Sequence, residues 1–192
     1  IHPNYVRTNR LIALFILVLS FLVYYDTMAP SVSYWDCGEF IAVAYTLGVP
    51  HPPGSPLFLL LGRIASMLPF SEDIAFRVNL LSPLSSAFAV FFLYLIIVQV
   101  VNHWRGKIES KQDALIAFGA GVVGSLTFAF TDSHWFNAVE AEVYSFSTFF
   151  TAIVVWLILL WSEKADEKGH ERYILIIAYM IGLATGLHLL NL

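Results

Sequence analysis

Residues 34–56 contain the side chains whose types and spacing could do chemistry: two carboxylates, an imidazole and a proline-rich turn. Asp36 and Glu39 are three residues apart, so one helical turn would place both carboxylates on the same face. A carboxylate held there could act as a general base and take the proton from an acceptor hydroxyl. The alternative is structural, because an N-cap Asp followed by a first-turn Glu is a common helix start. The spacing alone leaves both interpretations open.

The second feature is the sequence His-Pro-Pro-Gly-Ser-Pro at residues 51–56. Prolines restrict this loop, so the imidazole of His51 would be held at little entropic cost. It could then bind a phosphate or a carboxylate. The alternative is an ordinary turn with a histidine at the membrane interface. We take His51 as a candidate substrate-binding residue.

Aromatic and acidic residues occur together again near residue 140. Glu140 and Tyr144 are four residues apart, which predicts that they share one helical face. Trp135 and Tyr144 are of the types that anchor proteins at the membrane interface, which favours an aromatic belt over a sugar-binding platform. Glu142 is harder to explain in that way, because it begins an apolar helix. Trp135, Glu142 and Tyr144 are the substrate-binding candidates here.

Arg63 and Arg77 are the cations closest to these acidic stretches in the chain. A guanidinium matches phosphate oxygens in fork geometry, so either arginine could hold a lipid phosphate. Arg77 opens an apolar run, and the alternative for it is simple snorkelling to the interface. His188 lies near the end of the last apolar run, where it could contact substrate or form a hydrogen bond to a neighbouring helix.

The composition indicates a membrane protein. The chain has 192 residues, of which 58% are hydrophobic and 12% are charged, and its mean hydropathy is +0.74. Soluble domains carry about 25% charged residues. The single cysteine excludes an internal disulfide, no Cys/His pairing has zinc-ligand spacing, and no Gly-rich phosphate loop is present. The spacings therefore predict no metal ligands, and nothing predicts a nucleic-acid partner.

Five apolar runs are predicted to span the membrane, and they are residues 11–28, 78–101, 114–130, 146–161 and 173–190. Residues 29–77 are predicted to form a long outer segment that does not cross, with short interfacial helices. Its apolar part, residues 56–69, is below the ~20 residues that a span needs. Gly119, Gly121 and Gly124 would permit close helix packing. Since the chain begins with Ile1 and ends in an apolar run, we expect residues 1–192 to be the N-terminal part of one larger transmembrane domain.

The distribution of lysine and arginine predicts the orientation. Cations flank the apolar runs in three groups, which should all be cytoplasmic. They are Arg7 and Arg10; Arg105, Lys107 and Lys111; and Lys164, Lys168 and Arg172. An even number of spans must separate the first two groups, so residues 56–69 should not cross. Acidic and imidazole groups then fall on the outer side: Asp26, Asp36, Glu39, His51, Asp132, His134, Glu140, Glu142 and His188.

Three motifs carry a resemblance to a known family: Trp-Asp-Cys-Gly-Glu-Phe at 35–40, Gly-Val-Pro-His-Pro-Pro-Gly-Ser-Pro-Leu at 48–57 and Glu-Val-Tyr-Ser at 142–145. With a first span, a long acidic outer loop and a helical bundle, they resemble the GT-C superfamily of membrane glycosyltransferases, which use polyprenyl-phosphate sugars. Within it they are most similar to the bacterial membrane family related to the animal O-mannosyltransferase that modifies plexin-type extracellular domains.

The resemblance implies the N-terminal part of a GT-C bundle in a bacterial inner membrane, with its active face periplasmic. The donor would be a polyprenyl-phosphate hexose, with mannose expected, and the acceptor a Ser or Thr hydroxyl of an exported protein. Asp36, with Glu39 as the alternative, would be the general base of an inverting displacement. An arginine would stabilise the departing phosphate. Some members need a divalent metal and others do not; the outer-loop carboxylates and Glu142 could hold one.

Two other functions compete with this one. A non-catalytic accessory subunit of a larger complex would keep the GT-C-like bundle and use the same motifs for lipid binding or structure. A transporter would carry carboxylates near mid-membrane on broken helices, whereas these carboxylates are predicted in outer loops. The membrane lipid, the lipid-linked sugar and an exported acceptor protein are the partners expected for the enzyme.

Overall fold

The computed structural model describes residues 3–106 and 108–188, and these residues form nine α-helices and no β-strand. The helices are α1 (Pro3–Thr27), α2 (Cys37–Thr46), α3 (Pro56–Met67), α4 (Ile74–Asn79), α5 (Leu81–Arg105), α6 (Lys111–Ala129), α7 (Asp132–Ala138), α8 (Val143–Ser162) and α9 (Glu171–Thr185).

Four stretches are long and apolar enough to cross a membrane: Tyr5–Thr27, Ile74–Arg105, Lys111–Ala129 and Val143–Ser162. The prediction of an all-α, multi-pass membrane fold is therefore confirmed. The four stretches lie over four of the five predicted spans. α9 lies over the fifth, but it has only 15 residues, and the last predicted positions, 189 and 190, are outside the described residues.

The predicted outer segment contains α2, α3 and the short α4. The 12 residues of α3 give a length of about 18 Å, well short of the ~30 Å hydrocarbon core. α4 runs almost directly into α5, with Leu80 between them. Pro83 explains this break, because it has no N–H to donate to the carbonyl of Asn79. The helical segment thus begins at Ile74 and not at the predicted residue 78.

Helix direction gives the bundle two chemically different ends. α1, α6 and α9 finish at one end, where α5 and α8 begin. Hydrogen bonds join the segments there: Tyr24 Oη donates to Ala129 O at 2.8 Å, Ala29 N to Val139 O at 2.8 Å, and Leu57 N to Gly186 O at 2.8 Å. We call this the acidic end, because Asp36, Glu39, Glu140 and Glu142 lie there. The opposite, basic end carries Arg7, Arg10, Arg105, Lys111, Lys164, Lys168 and Arg172; Lys107 lies outside the described residues.

The buried apolar residues form two clusters. One lies at the acidic end and joins α2, α3 and α4 to the beginning of α8 and the end of α9. Its aromatic centre is Phe40, Phe58 and Phe146. The ring centroids of Phe40 and Phe58 are 5.4 Å apart, and those of Phe58 and Phe146 are 5.8 Å apart. The other cluster joins α1, α5, α6 and α7. The short helices α2, α3 and α4 are thus held by packing against α8 and α9.

Gly121 and Gly124 of α6 allow close contact with α5, whereas Gly119 does not, and this yields a first prediction. A Cβ at Gly121 would lie 2.8 Å from the Tyr94 ring and from Val98, whereas a Cβ at Gly119 would meet nothing within 4 Å. Gly121→Ala should therefore overpack the interface at a cost of about 1–3 kcal/mol, and Gly119→Ala should not. Thermal unfolding of the full-length protein in detergent measures both. Equal melting temperatures for the two variants would contradict this packing.

Candidate functional site

Asp36 occupies the N-cap position of α2, but its side chain forms no capping hydrogen bond. The carboxylate is therefore not used in the way that the structural alternative requires. The preceding residue, Trp35, has a left-handed backbone (φ 67°) and a side chain that is 86% exposed. A bulky residue in that conformation is uncommon and costs free energy. It turns the chain immediately before Asp36, a feature that sequence spacing does not reveal.

Glu39 and His51 form a two-point contact between α2 and the proline-rich loop. His51 N donates to Glu39 Oε1 at 2.8 Å, and Glu39 Oε2 lies 2.6 Å from His51 Nδ1. The imidazole also packs against Phe40, with ring centroids 5.7 Å apart. The hydrogen bond to His51 lowers the pKa of Glu39, and the same bond raises the pKa of His51. Glu39 therefore positions the loop and favours the charged imidazolium.

Asp36, Glu39 and His51 come together at the start of α2. Each offers one ligand atom, and these atoms all lie within 4.8 Å of one another. The charge of Asp36, like that of Glu142, contributes to the raised pKa of His51. Two carboxylates and an imidazole could hold a divalent cation or surround a reacting hydroxyl. The sequence predicted this grouping only as far as the shared face of Asp36 and Glu39.

Two buried carboxylates lie behind this group. Glu142, the N-cap residue of α8, is 5% exposed, and Glu140 is 4% exposed. Burial raises the pKa of Glu142 to about 7, with smaller contributions from the charges of Asp36 and Glu140. Ser33 donates a hydrogen bond to Glu140 Oε2, while Oε1 has no hydrogen-bond partner among the described residues. The site therefore holds a carboxyl group that can change its charge near neutral pH.

The predicted helical face of Glu140 and Tyr144 is wrong. α8 begins at Val143, so Glu140 lies in the bend before the helix. The connection between α6 and α8 also contains the short helix α7. The bend directs Glu140 toward the outer segment, where Ser33 contacts it.

Asn79 is a positioning residue that sequence reasoning missed. It is fully buried, and its Nδ2 donates to the carbonyls of Ala29 and Ser31 at 2.9 Å each. Its Oδ1 accepts from Ala141 N at 3.1 Å and from Cys37 Sγ at 3.6 Å. One amide thus joins the outer segment, the start of α2 and the bend before α8. The sequence feature that could have indicated this role is the polar amide of Asn79 at the second position of the predicted apolar span 78–101.

Arg63 and Arg77 both bind backbone carbonyls. Arg63 donates to Tyr45 O at 2.6 Å, at the end of α2. Arg77 donates to Ser71 O at 2.6 Å and to Ser66 O at 2.8 Å, and so holds the connection between α3 and α4. Neither forms an ion pair with Asp36 or Glu39 in the described part of the chain. Their predicted role as phosphate ligands remains a prediction.

The other predicted substrate-binding residues also lie at the acidic end. Trp135 Nε1 donates to Thr27 Oγ1 at 3.0 Å and its ring packs against Phe130 at 5.4 Å, so the indole joins α7 to the ends of α1 and α6. Tyr144 and His188 are brought together, with ring centroids 5.3 Å apart. These contacts link the start of α8 to the end of α9.

Comparison with known proteins supplies the family. The model of the protein O-mannosyl-transferase TMEM260 N-terminal domain matches residues 36–192. The chain is 32% identical over 155 residues to a protein O-mannosyl-transferase tmem260 of Dictyostelium discoideum, covering 79% of this chain and 17% of the relative. It is 30% identical over 159 residues to the protein O-mannosyl-transferase TMEM260 of Mus musculus, covering 82% and 20%.

The chain therefore spans about a fifth of the length of these relatives. No solved structure matches it. The family match begins at Asp36 and contains Glu39, His51, Asn79 and Glu142. Since the match covers most of the chain, the chain belongs to the family of the protein O-mannosyl-transferase TMEM260 N-terminal domain.

Proposed function

We propose that this chain is the N-terminal part of a GT-C glycosyltransferase that moves mannose from a polyprenyl phosphate to Ser or Thr hydroxyls of exported proteins. The observation that carries the proposal is the grouping of Asp36, Glu39 and His51 within 4.8 Å at the acidic end. Three carboxylates and an imidazole at one end of a membrane bundle, Glu142 included, suit a reaction between a lipid-linked sugar and a hydroxyl. Relatives named protein O-mannosyl-transferase support it.

Asp36 is the general base in this proposal. Its side chain does not cap α2, whereas both oxygens of Glu39 already contact His51. The acceptor oxygen forms a bond to the anomeric carbon while the bond from that carbon to the phosphate oxygen breaks. The acceptor proton passes to Asp36, and the lipid phosphate leaves with the electron pair. A single displacement of this kind inverts the anomeric carbon.

His51 stabilises the charge that develops on the leaving phosphate. The contact with Glu39 raises the pKa of His51, and so favours the imidazolium. A cation held beside the developing charge lowers the barrier because it is already oriented. Arg63 and Arg77 are less suitable than His51 for this role, because their guanidinium groups already bind backbone carbonyls. Glu39 then acts through His51 as a positioning residue.

The donor atoms of Asp36, Glu39 and His51 also fit a divalent cation, since carboxylate and imidazole groups suit Mn²⁺. Such an ion would replace the imidazolium as the source of positive charge for the phosphate, because an imidazole binds a metal only in its neutral form. We expect chelation with EDTA to lower transfer by the full-length protein and added Mn²⁺ to restore it. Undiminished transfer after exhaustive chelation would show that the protein groups act without a metal.

The acidic end is proposed to face outward, in the periplasm if the membrane is a bacterial inner membrane as the motif resemblance implies. The cations at the basic end support this orientation, because lysine and arginine are enriched on the cytoplasmic side. The polyprenyl-phosphate sugar would then approach from the outer leaflet.

A transfer assay in membrane vesicles tests donor, acceptor and orientation together. Right-side-out vesicles with the full-length protein receive radiolabelled polyprenyl-phosphate mannose and an exported protein in the outer solution. We expect label on the acceptor, released by β-elimination, and none when sealed inverted vesicles are used. Transfer only in inverted vesicles would show that the acidic end faces the cytoplasm. No transfer from any lipid-linked sugar by the folded protein would favour the accessory-subunit function.

A further inference from the structure

A cavity of about 620 Å³ lies between α1, α5 and α8 at the basic end of the bundle. It is separate from the acidic site, because Trp156 and Leu160 of α8 and its C-cap residue Glu163 are at the opposite end of that helix from Glu142. Nothing in the proposed transfer reaction uses it. It lies between helices that are long and apolar enough to span a membrane, and its volume is sufficient for part of a lipid molecule.

The lining changes from apolar to polar along the bundle axis. Phe91, Phe92 and Trp156 form the deeper wall, and Asn102 and Glu163 lie near the end of the bundle. The rise from Phe91 to Asn102 on α5 is about 16 Å. The cavity therefore has an apolar inner part and a polar mouth, which is the distribution of a phospholipid with its headgroup at the membrane surface.

Three amide side chains line this polar mouth: those of Asn9, Gln99 and Asn102. Gln99 Nε2 is buried and has no hydrogen-bond partner among the described residues. The side-chain oxygens of Asn9 and Asn102 accept bonds from Tyr94 Oη and Ile108 N, which leaves their N–H groups to donate elsewhere. A buried donor without a partner is costly, and a turn of the Gln99 side chain toward the cavity would let Nε2 donate to a phosphate oxygen there.

Charges of both signs line the same cavity. Arg10 comes from α1, and Glu163 follows α8. Neither has an ion-pair partner in the described part of the chain. A phosphate group would complement Arg10 and the amide donors, and an ammonium group would complement Glu163.

We propose that this cavity binds one zwitterionic phospholipid with a primary ammonium headgroup. The phosphate accepts hydrogen bonds from Arg10 and Gln99, the ammonium donates to Glu163, and an acyl chain lies along Phe91 and Phe92. A purely anionic phospholipid makes the phosphate and acyl-chain contacts but not the contact with Glu163, because its headgroup offers no cation.

Native mass spectrometry of the full-length protein tests the proposal. The protein is delipidated and titrated with phosphatidylethanolamine, phosphatidylcholine or phosphatidylglycerol. We expect one tightly bound phosphatidylethanolamine per chain. Arg10→Gln should weaken binding of all three lipids by at least tenfold, since a hydrogen bond to a charged group is lost. Glu163→Gln should remove the preference for phosphatidylethanolamine over phosphatidylglycerol. Gln99→Leu should weaken all three lipids less than Arg10→Gln does.

The controls are Arg7→Gln and Asp166→Asn, which change exposed charges at the same end without touching the cavity. Both should bind lipid as the unmodified protein does. An equal loss of lipid affinity in the Arg7→Gln and Arg10→Gln proteins would overturn the proposal, because it would indicate a general effect of charge. Absence of any retained lipid on the full-length chain would also overturn it and indicate that a protein segment covers the cavity.

Discussion

Asp36→Asn is expected to lower mannose transfer by about 100- to 10,000-fold, the usual contribution of a general base, while the protein stays folded. Asparagine has nearly the same shape, and the Asp36 side chain makes no capping bond that would be lost. The variant therefore removes the proton acceptor with little change in structure. The measurement is the rate of label transfer at saturating donor, accompanied by the melting temperature of the full-length protein.

Three comparisons make this result specific to Asp36. Asp166→Asn, an exposed change at the basic end, should transfer at the normal rate. Glu39→Gln should act through loss of the His51 contact and should therefore be mimicked by His51→Gln. Glu142 is the rival base, because its pKa of about 7 suits proton transfer. If Glu142→Gln abolished transfer and Asp36→Asn did not, the base would be Glu142.

Asn79→Ala is expected to destabilise the protein by about 1–3 kcal/mol, the cost of leaving a buried hydrogen-bonding group unpaired, because one of the groups that lose their partner is buried and two are part-buried. The groups left unpaired are the carbonyls of Ala29 and Ser31 and the N–H of Ala141. Transfer should fall as well, since these three segments carry the acidic site. The measurements are thermal unfolding and the transfer rate of the full-length protein.

Asn137→Ala is the matched control for this change. Asn137 is only partly buried, and its side chain binds Ser133 O within its own short helix, α7. The same substitution there should change the melting temperature little. Similar stability for the Asn79→Ala and Asn137→Ala proteins would show that Asn79 does not hold the segments together.

The membrane architecture could be predicted because length and hydropathy act over many residues. Long apolar runs gave the spanning helices, and the shortness of residues 56–69 matched the 12-residue helix α3. Short helices were predicted within residues 29–77, and α2 at Cys37–Thr46 is the first of them. Local pattern was sufficient in these places because no distant contact had to be known.

The details of the site could not be predicted, because they depend on contacts between distant segments. Glu39 and His51 are joined by the path of a loop, which spacing does not specify. The role of Asn79 depends on three segments meeting at one buried amide. Whether Glu140 shares a helical face with Tyr144 depends on the residue at which α8 begins. For the glycines of α6, the rotation of the helix decides that Gly121 faces α5 and Gly119 does not.

The packing of the outer segment against α8 and α9 has a consequence for the order of synthesis. Phe40 and Phe58 belong to the same buried cluster as Phe146 and Leu187, residues that leave the ribosome roughly 100 residues later, or about 5–20 s at ordinary translation rates. During that interval the carboxylates of the first loop have already been synthesised, whereas Glu142 and the part of the cluster that comes from α8 and α9 have not. The acidic site therefore forms only after α8, the fourth long helix, has been inserted. An unfinished chain contains the motifs around Asp36 and His51 but not the folded site.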